Sequence, residues 1–357
     1  MDHSLWQWIG DETLLQQLMA EQSTPVLLII IAVCIALLSK GADWMVDGVV
    51  DLASRTGLPK IVIGATVVSL GTTLPEAFVS VMAAYMGNPG LALGNGVGSI
   101  IADTGLILGL TCTLAVIPVN RYILNRTGWV QVGAATLLVV LALVALFNAA
   151  PGNEPILQRW VGFLFLALLV AYLYVTYLWA THKNSAPASS ATEEVQKEAL
   201  MSLGLSWLMV IGGLLLVVIG ARILVPSASE IAIRFGVPDD VIAATMVAFG
   251  TSLPELMTAI SAVRKGHPEI TLGNIVGADV LNVLFVIGAA AAAAPLAIPM
   301  NFYYFHFPAM LIILLSFRVF ISMNRGGMFY RWQGIWLLSV YVVYVILQYA
   351  LNIGAAH

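Results

Sequence analysis

The chain has 357 residues, of which 60% are hydrophobic and only 10% charged, and its mean hydropathy is +0.94. A soluble domain carries about 25% charged residues, so this composition excludes a protein that covers itself with a polar surface. The formal net charge of -4 decides little, because in such a chain the placement of charge matters more than its sum, and no nucleic-acid partner is expected.

Residues 1–24, with Trp6, Trp8, Asp11 and Glu12, lack the basic start and cleavage site of a signal peptide and read as an interfacial segment. Ten apolar runs follow, near 25–52, 59–85, 91–117, 127–149, 157–180, 201–228, 239–263, 270–298, 306–323 and 331–353. An α-helix needs about 20 such residues to cross a bilayer, so the expected fold is an all-α polytopic membrane protein with ten transmembrane helices. Cys34 and Cys112 fall inside these runs, which leaves no disulfide framework and no thiolate metal cluster. From His182 to Glu198 the chain is rich in Ser, Ala, Thr, Lys and Glu. This linker, 182–199, separates a first five-helix unit, 25–181, from a second, 200–357.

Of the fifteen basic residues, eleven (Arg55, Lys60, Arg121, Arg126, Lys183, Lys197, Arg264, Lys265, Arg318, Arg325 and Arg331) fall in or beside alternate loops. Arg159 and Arg234 fall in or beside the opposite loops, and Lys40 and Arg222 inside the first and sixth spans. Positive charge marks the cytoplasmic side, so the chain is expected in the cell membrane with both termini outside.

Sliding the chain over itself by 179 residues reveals an ungapped repeat. Gly71-Thr72-Thr73-Leu74-Pro75-Glu76 meets Gly250-Thr251-Ser252-Leu253-Pro254-Glu255, and Leu93-Gly94-Asn95 with Val97-Gly98 meets Leu272-Gly273-Asn274 with Val276-Gly277. Five spans is an odd number, so the second copy enters the membrane from the opposite side and the two repeats are inverted. Inverted repeats in transporters place the binding site at the midplane where they meet.

Glu76 and Glu255 lie well inside apolar spans, where an ionised carboxylate costs several kcal/mol unless it is paired or solvated. No Lys or Arg occurs in the second, third, seventh or eighth spans away from their ends, which favours a bound cation as the compensating charge. Pro75 and Pro254 cannot donate to the carbonyls four residues back, and each should open its helix there, concentrating oxygen ligands around Thr72, Thr73, Thr251 and Ser252. In the third span Asn95, Ser99 and Asp103 recur every four residues and share a helix face, answered in the second repeat by Asn274, Ala278 and Asn282, with Asp279 as a possible fourth carboxylate. Oxygen-only ligands suit Ca²⁺ and Na⁺ and exclude zinc or copper. Asp43, Asp47 and Asp51 also recur every four residues, but read first as a packed or solvated polar face near the interface.

The paired motifs, each followed by a Gly-Asn-x-Val-Gly segment, resemble the two α-repeats of the sodium/calcium exchanger branch of the calcium/cation antiporter superfamily. The resemblance covers roughly residues 25–355. It implies ten helices, a central cluster of ion sites and alternating access by sliding of the first and sixth helices. It further implies that Glu76 and Glu255 bridge Ca²⁺ and Na⁺, that the Thr72 and Thr251 carbonyls and the Thr73 and Ser252 hydroxyls complete the shell, and that Ser99 serves a flanking Na⁺ site. Asp103 and Asn282 stand in exchanged order relative to some prokaryotic members, and Ala278 replaces a frequent Ser. The expected activity is Ca²⁺/Na⁺ antiport with no cofactor. Ca²⁺/H⁺ or K⁺-dependent exchange is the alternative, and a channel or an enzyme is less favoured because paired, interrupted helices in inverted repeats suit alternating access.

Overall fold

A computed structural model describes residues 12–56, 58, 60–85, 87–118, 121–150, 154–181, 201–235, 252–324 and 327–350. Residues 236–251, which include Thr251 and the first part of the seventh span, and the linker 182–199 lie outside the described residues, as do the first eleven residues of the N-terminal segment.

Eleven helices account for nearly all described residues: α1 Glu12–Ala20, α2 Thr24–Thr56, α3 Lys60–Tyr85, α4 Pro89–Leu114, α5 Arg121–Asn148, α6 Arg159–Thr181, α7 Leu203–Arg234, α8 Leu253–Arg264, α9 Pro268–Ala293, α10 Phe302–Met323 and α11 Arg331–Ala350. Eight of them, α2 to α7 with α9 and α10, are long and apolar enough to cross a membrane. The 20-residue α11 and the twelve-residue α8, which begins just after the undescribed stretch, occupy the places of the tenth and seventh spans.

Longer, antiparallel α2 and α7 form the most extensive helix pair. Asp51 near the end of α2 accepts a hydrogen bond from Ser206 Oγ near the start of α7, while Arg234 at the end of α7 donates to Thr24 Oγ1 at the start of α2. Small residues let the two backbones touch between those ends, since a Cβ on Gly41 would strike the Gly213 carbonyl and one on Gly213 the Gly41 carbonyl.

Contacts between loops sort the helix ends into two groups. Strand β1 (Ile117–Pro118), after α4, pairs antiparallel with β4 (Met328–Phe329), before α11. At the far end of α5, β2 (Ile156–Leu157) pairs with β3 (Leu296–Ala297). The first group also holds Lys60, whose ammonium sits 2.8 Å from His267 Nδ1 and 3.4 Å from Glu269, and Lys265, paired with Asp47 at 2.5 Å. Several features recur at the 179-residue offset: β3 lies 179 residues after β1, and Gly87 and Gly266 both turn the chain at φ 77°.

The helices are interrupted differently from the sequence-based expectation. Pro75 sits inside a continuous helix, Ser69–Tyr85, and the departure from α geometry lies upstream, in a π-helical turn at Gly64–Val68. Proline removes one hydrogen bond, the one to the Gly71 carbonyl, and the flanking turns of α3 hold the helix together. In the second repeat Ser252 is non-helical (φ -87°, ψ 6°) and Pro254 lies in the first turn of α8, while the place of the expected break, at Gly250, lies outside the described residues. Further π-helical turns occur in α4 (Ala102–Leu108) and α9 (Asn282–Ile287), at matching places in the two repeats.

This arrangement of ends can be tested by cross-linking. Opposed Cα atoms of an antiparallel pair lie about 4.5–5.5 Å apart, within the range a disulfide spans. With Cys34 and Cys112 replaced by alanine, Ile156→Cys with Ala297→Cys is expected to form a disulfide on mild oxidation. Ile156→Cys with Met328→Cys should stay reduced, because α5 separates those ends by about 40 Å; gel mobility reads the result.

Candidate cation site

The cluster of buried polar groups at the centre of the bundle is drawn from both repeats. Glu76 and Asp103 are each 1% exposed, Glu255 and Asp279 each 2%, and Thr72, Thr73, Ser99, Ser252, Asn274 and Asn282 are buried with them. Two glycines of α9 bring the repeats this close: a Cβ on Gly273 would strike the Ile61 carbonyl oxygen of α3, and one on Gly277 the Ala65 carbonyl oxygen and Ser69 Oγ. This stripe of small residues works as packing, and the packing carries α9 against the polar stretch of α3.

The contacts cross between repeats. Thr72 Oγ1 lies 3.4 Å from Asn274 Oδ1, and Thr72 also stands beside the Glu255 carboxylate. Asn282 Nδ2 donates to Asp103 Oδ2 at 3.4 Å, joining two positions separated by the repeat length, and Ser252 stands beside Asp103. Asp103 and Asn282 each lie at the start of a π-helical turn, and an extra residue in the turn changes the direction in which the following side chains leave the helix. Asn95, half-buried on α4, donates to the Glu76 carbonyl at 3.1 Å and to Ser80 Oγ at 2.9 Å, bracing the turn that carries Glu76.

These groups leave many oxygens unanswered. Thr73 Oγ1, Glu76 Oε2, Asp103 Oδ1, Ser252 Oγ, Glu255 Oε2 and Asn282 Oδ1 are buried without a hydrogen-bond partner. Native interiors leave few such atoms, and one site holding this many oxygen acceptors fits a ligand that is a hard cation. Charge points the same way, since Glu76, Asp103 and Glu255 would repel one another if all were ionised and a bound cation offsets that repulsion. Among the described residues no three His, Cys, Asp or Glu side chains converge as a metal cluster by themselves, so hydroxyl, amide and carbonyl oxygens have to share in any coordination shell.

The structure therefore brings together Thr72, Thr73, Glu76, Asp103, Ser252, Glu255 and Asn282, with Ser99 buried one turn before Asp103 on α4, while Thr251 lies outside the described residues. Three participants escaped the sequence reading. Gln131 of α5 donates to Asp279 Oδ2 at 2.5 Å, and Thr104 of α4 donates to the same oxygen. Arg222 of α7 contributes a positive charge that favours the ionised form of Glu76. Neither Gln131 nor Arg222 belongs to a repeated motif, and only their burial depth in apolar helices could have drawn attention to them. The acidic stripe of α2 stays at one end and is taken up in structural ties: Asp43 accepts from Ser261 Oγ at 2.6 Å, Asp47 pairs with Lys265, and Asp51 holds Arg55 and Ser206.

Comparison with known proteins identifies the family. A family model described as sodium/calcium exchanger protein matches residues 26–178 and 205–350. The chain is 33% identical over 314 residues to the uncharacterized membrane protein MJ0091 of Methanocaldococcus jannaschii, covering 86% of this chain and 93% of that one. It is 29% identical over 355 residues to the sodium/calcium exchanger MaX1 of Methanosarcina acetivorans, covering 90% and 98%. A solved structure of the sodium-calcium exchanger NCX_Mj, soaked with Na⁺ and Sr²⁺, matches with a TM-score of 0.75 at 28% identity over 91% of this chain and 99% of that chain. The chain belongs to the sodium/calcium exchanger family, a family of membrane transporters.

Proposed function

We propose that this protein exchanges Ca²⁺ for Na⁺ across the cell membrane by alternating access, through ten transmembrane helices arranged as two inverted five-helix repeats. One observation carries the reading: a buried, inter-repeat cluster of carboxylate, hydroxyl and amide oxygens without hydrogen-bond partners. Ca²⁺ takes roughly six to eight oxygen ligands in flexible geometry, and carboxylates, hydroxyls and carbonyls are its usual donors.

Each group has a role in this reading. Glu76 and Glu255, one from each repeat, supply the charge that offsets the lost hydration of either cation. The Thr73 and Ser252 hydroxyls with the Thr72 and Thr251 carbonyls complete the shell. Asp103 and Asn282 share one edge of the site, and Ser99 serves a flanking Na⁺ position. Exchange follows from competition, because Ca²⁺ and Na⁺ draw on the same carboxylates and cannot be held together at full occupancy. The name of MaX1 and the description of NCX_Mj, both sodium/calcium exchangers, support the ion pair. The antiparallel course of α2 and α7 and the sorting of loops into two ends support the inverted repeats. With eleven basic residues in or beside the loops of one end against two at the other, that basic end is the cytoplasmic one and both termini are outside.

Three outcomes are expected. In proteoliposomes, labelled Ca²⁺ uptake should be driven by an outward Na⁺ gradient; uptake driven by a pH gradient alone, with Na⁺ absent, would replace this coupling with Ca²⁺/H⁺ exchange. Glu76→Gln and Glu255→Gln keep side-chain size but remove the charge, and each should abolish Ca²⁺ exchange in protein that elutes normally on size-exclusion chromatography. Ala278→Ser restores the hydroxyl that Ser99 offers in the other repeat. It should strengthen Na⁺ competition against Ca²⁺ by about 1 kcal/mol, read as a lower Na⁺ midpoint for inhibition of Ca²⁺ uptake.

A further inference from the structure

Asp279 stands apart from the proposed Ca²⁺ ligands. It has no acidic counterpart in the first repeat, where Ile100 occupies the matching position, and its partners come from α4 and α5. Thr104 Oγ1 and Gln131 Nε2 both donate to one carboxylate oxygen, Oδ2, the Gln131 bond at 2.5 Å, and a 3.4 Å contact links Gln131 Nε2 to Thr104 Oγ1. The other oxygen of Asp279, Oδ1, and the other polar atom of Gln131, Oε1, are both buried and both without a hydrogen-bond partner.

Two unpartnered acceptors thus sit on two groups already joined by a hydrogen bond, and a proton on one would allow it to donate to the other. An acid and a primary amide pair through two bonds, N–H to the carboxyl C=O and O–H to the amide C=O, and the first of these is present. We propose that Asp279 is a resident proton site: the proton sits on Oδ1 and is donated to Gln131 Oε1, closing an acid–amide pair locked from the side by Thr104.

The alternative, an ionised Asp279, places a fourth negative charge in the bundle. The titratable groups facing it, Asp103 from α4 and Glu255 from α8, are themselves acidic, and the group offered by α5, Gln131, is neutral. Ionised, Asp279 would also leave Gln131 Oε1 without a donor at membrane depth. Protonated, it satisfies both orphaned atoms and leaves Glu76, Asp103 and Glu255 as the charges available to transported cations. This last consequence rests on the ion-site reading above; the proton itself does not.

Infrared spectroscopy of the purified wild-type protein in liposomes with saturating Ca²⁺ tests the proton directly. The expected spectrum contains the carbonyl band of a protonated carboxylic acid, shifted by deuterium exchange and absent in Asp279→Asn. Gln131→Leu removes the acceptor and should move the band to higher frequency. Asparagine reproduces the pair, with its amide donating to Gln131 Oε1, so Asp279→Asn should elute normally on size-exclusion chromatography. Absence of the acid band in the wild type overturns the proposal. So does an acid band that persists unchanged in a correctly folded Asp279→Asn protein. If that variant does not fold, the wild-type band and its shift in Gln131→Leu decide. If no variant or wild type exchanges Ca²⁺ for Na⁺, the transport reading fails while the band still reports on the proton.

Discussion

Burying an oxygen without a partner inside hydrocarbon is among the costliest arrangements a membrane protein can adopt, at several kcal/mol for an ionised carboxylate. This chain gathers several such oxygens at one place, and much of its architecture answers to that expense. The glycines of α9 bring two repeats into backbone contact so that each donates oxygens to a common cluster. Asn95 spends its amide on bracing the turn of Glu76 rather than on satisfying the carboxylate. In the proposed reading a cation that enters recovers the energy that the protein alone leaves unrecovered, and affinity follows from the same electrostatics that make the unpartnered oxygens costly.

Charge is used differently at the ends of the bundle. There, Arg55 meets Asp51, Lys265 meets Asp47 and Arg234 meets Glu230, each pair partly open to solvent. Such pairs contribute little to stability, typically less than about 1 kcal/mol. Their value is geometric: they fix which loops lie together, and the two-residue strand pairs do the same through backbone hydrogen bonds. The stripe of Asp43, Asp47 and Asp51, which taken alone could resemble a cation vestibule, belongs to this fastening.

Legibility in the sequence followed the repeat. Glu76 and Glu255 were readable because a carboxylate beside a proline in an apolar run, occurring twice at one offset, has no cheap structural explanation. The cross-repeat contacts of Thr72 and Ser252 were readable for the same reason, though only as a neighbourhood. Gln131 was not, because a lone amide in an apolar helix is compatible with packing and its partner Asp279 lies 148 residues away in sequence. The π-helical turns were invisible as well: widening a turn by one residue requires no particular side chain, and Asp103 and Asn282 signal their polarity without signalling the turn that aims them. Pro75 misled in the opposite direction, since a missing N–H is certain from sequence but the bending it causes depends on the neighbouring turns.

The contact between α2 and α7 is where structure and proposed mechanism constrain each other. Gly41 against Gly213 and Gly220 against Cys34 and Leu38 bring the two helices into close contact over the middle of the pair. The polar fastenings of the pair lie at its ends, with Asp51 to Ser206 and Met201 at one and Arg234 to Thr24, Ala20 and Gln22 at the other. These bonds join α2 to α7 and not to the helices of the site, so they hold the two long helices together as one body. The ties from that body to α8 are fewer, Asp43 with Ser261 and Lys265, and Asp47 with Lys265, all at the basic end. A shift of α2 and α7 as a unit therefore has to exchange or stretch those contacts while leaving Glu76, Glu255 and the braced turn of α3 in place. In that reading the polar contacts to be exchanged lie at the basic end, and the buried apolar cluster of Met45, Val46 and Val49 with Ile63, Val68, Ala262 and Ile270, which packs α2 against α3, α8 and α9, has to be rearranged with them.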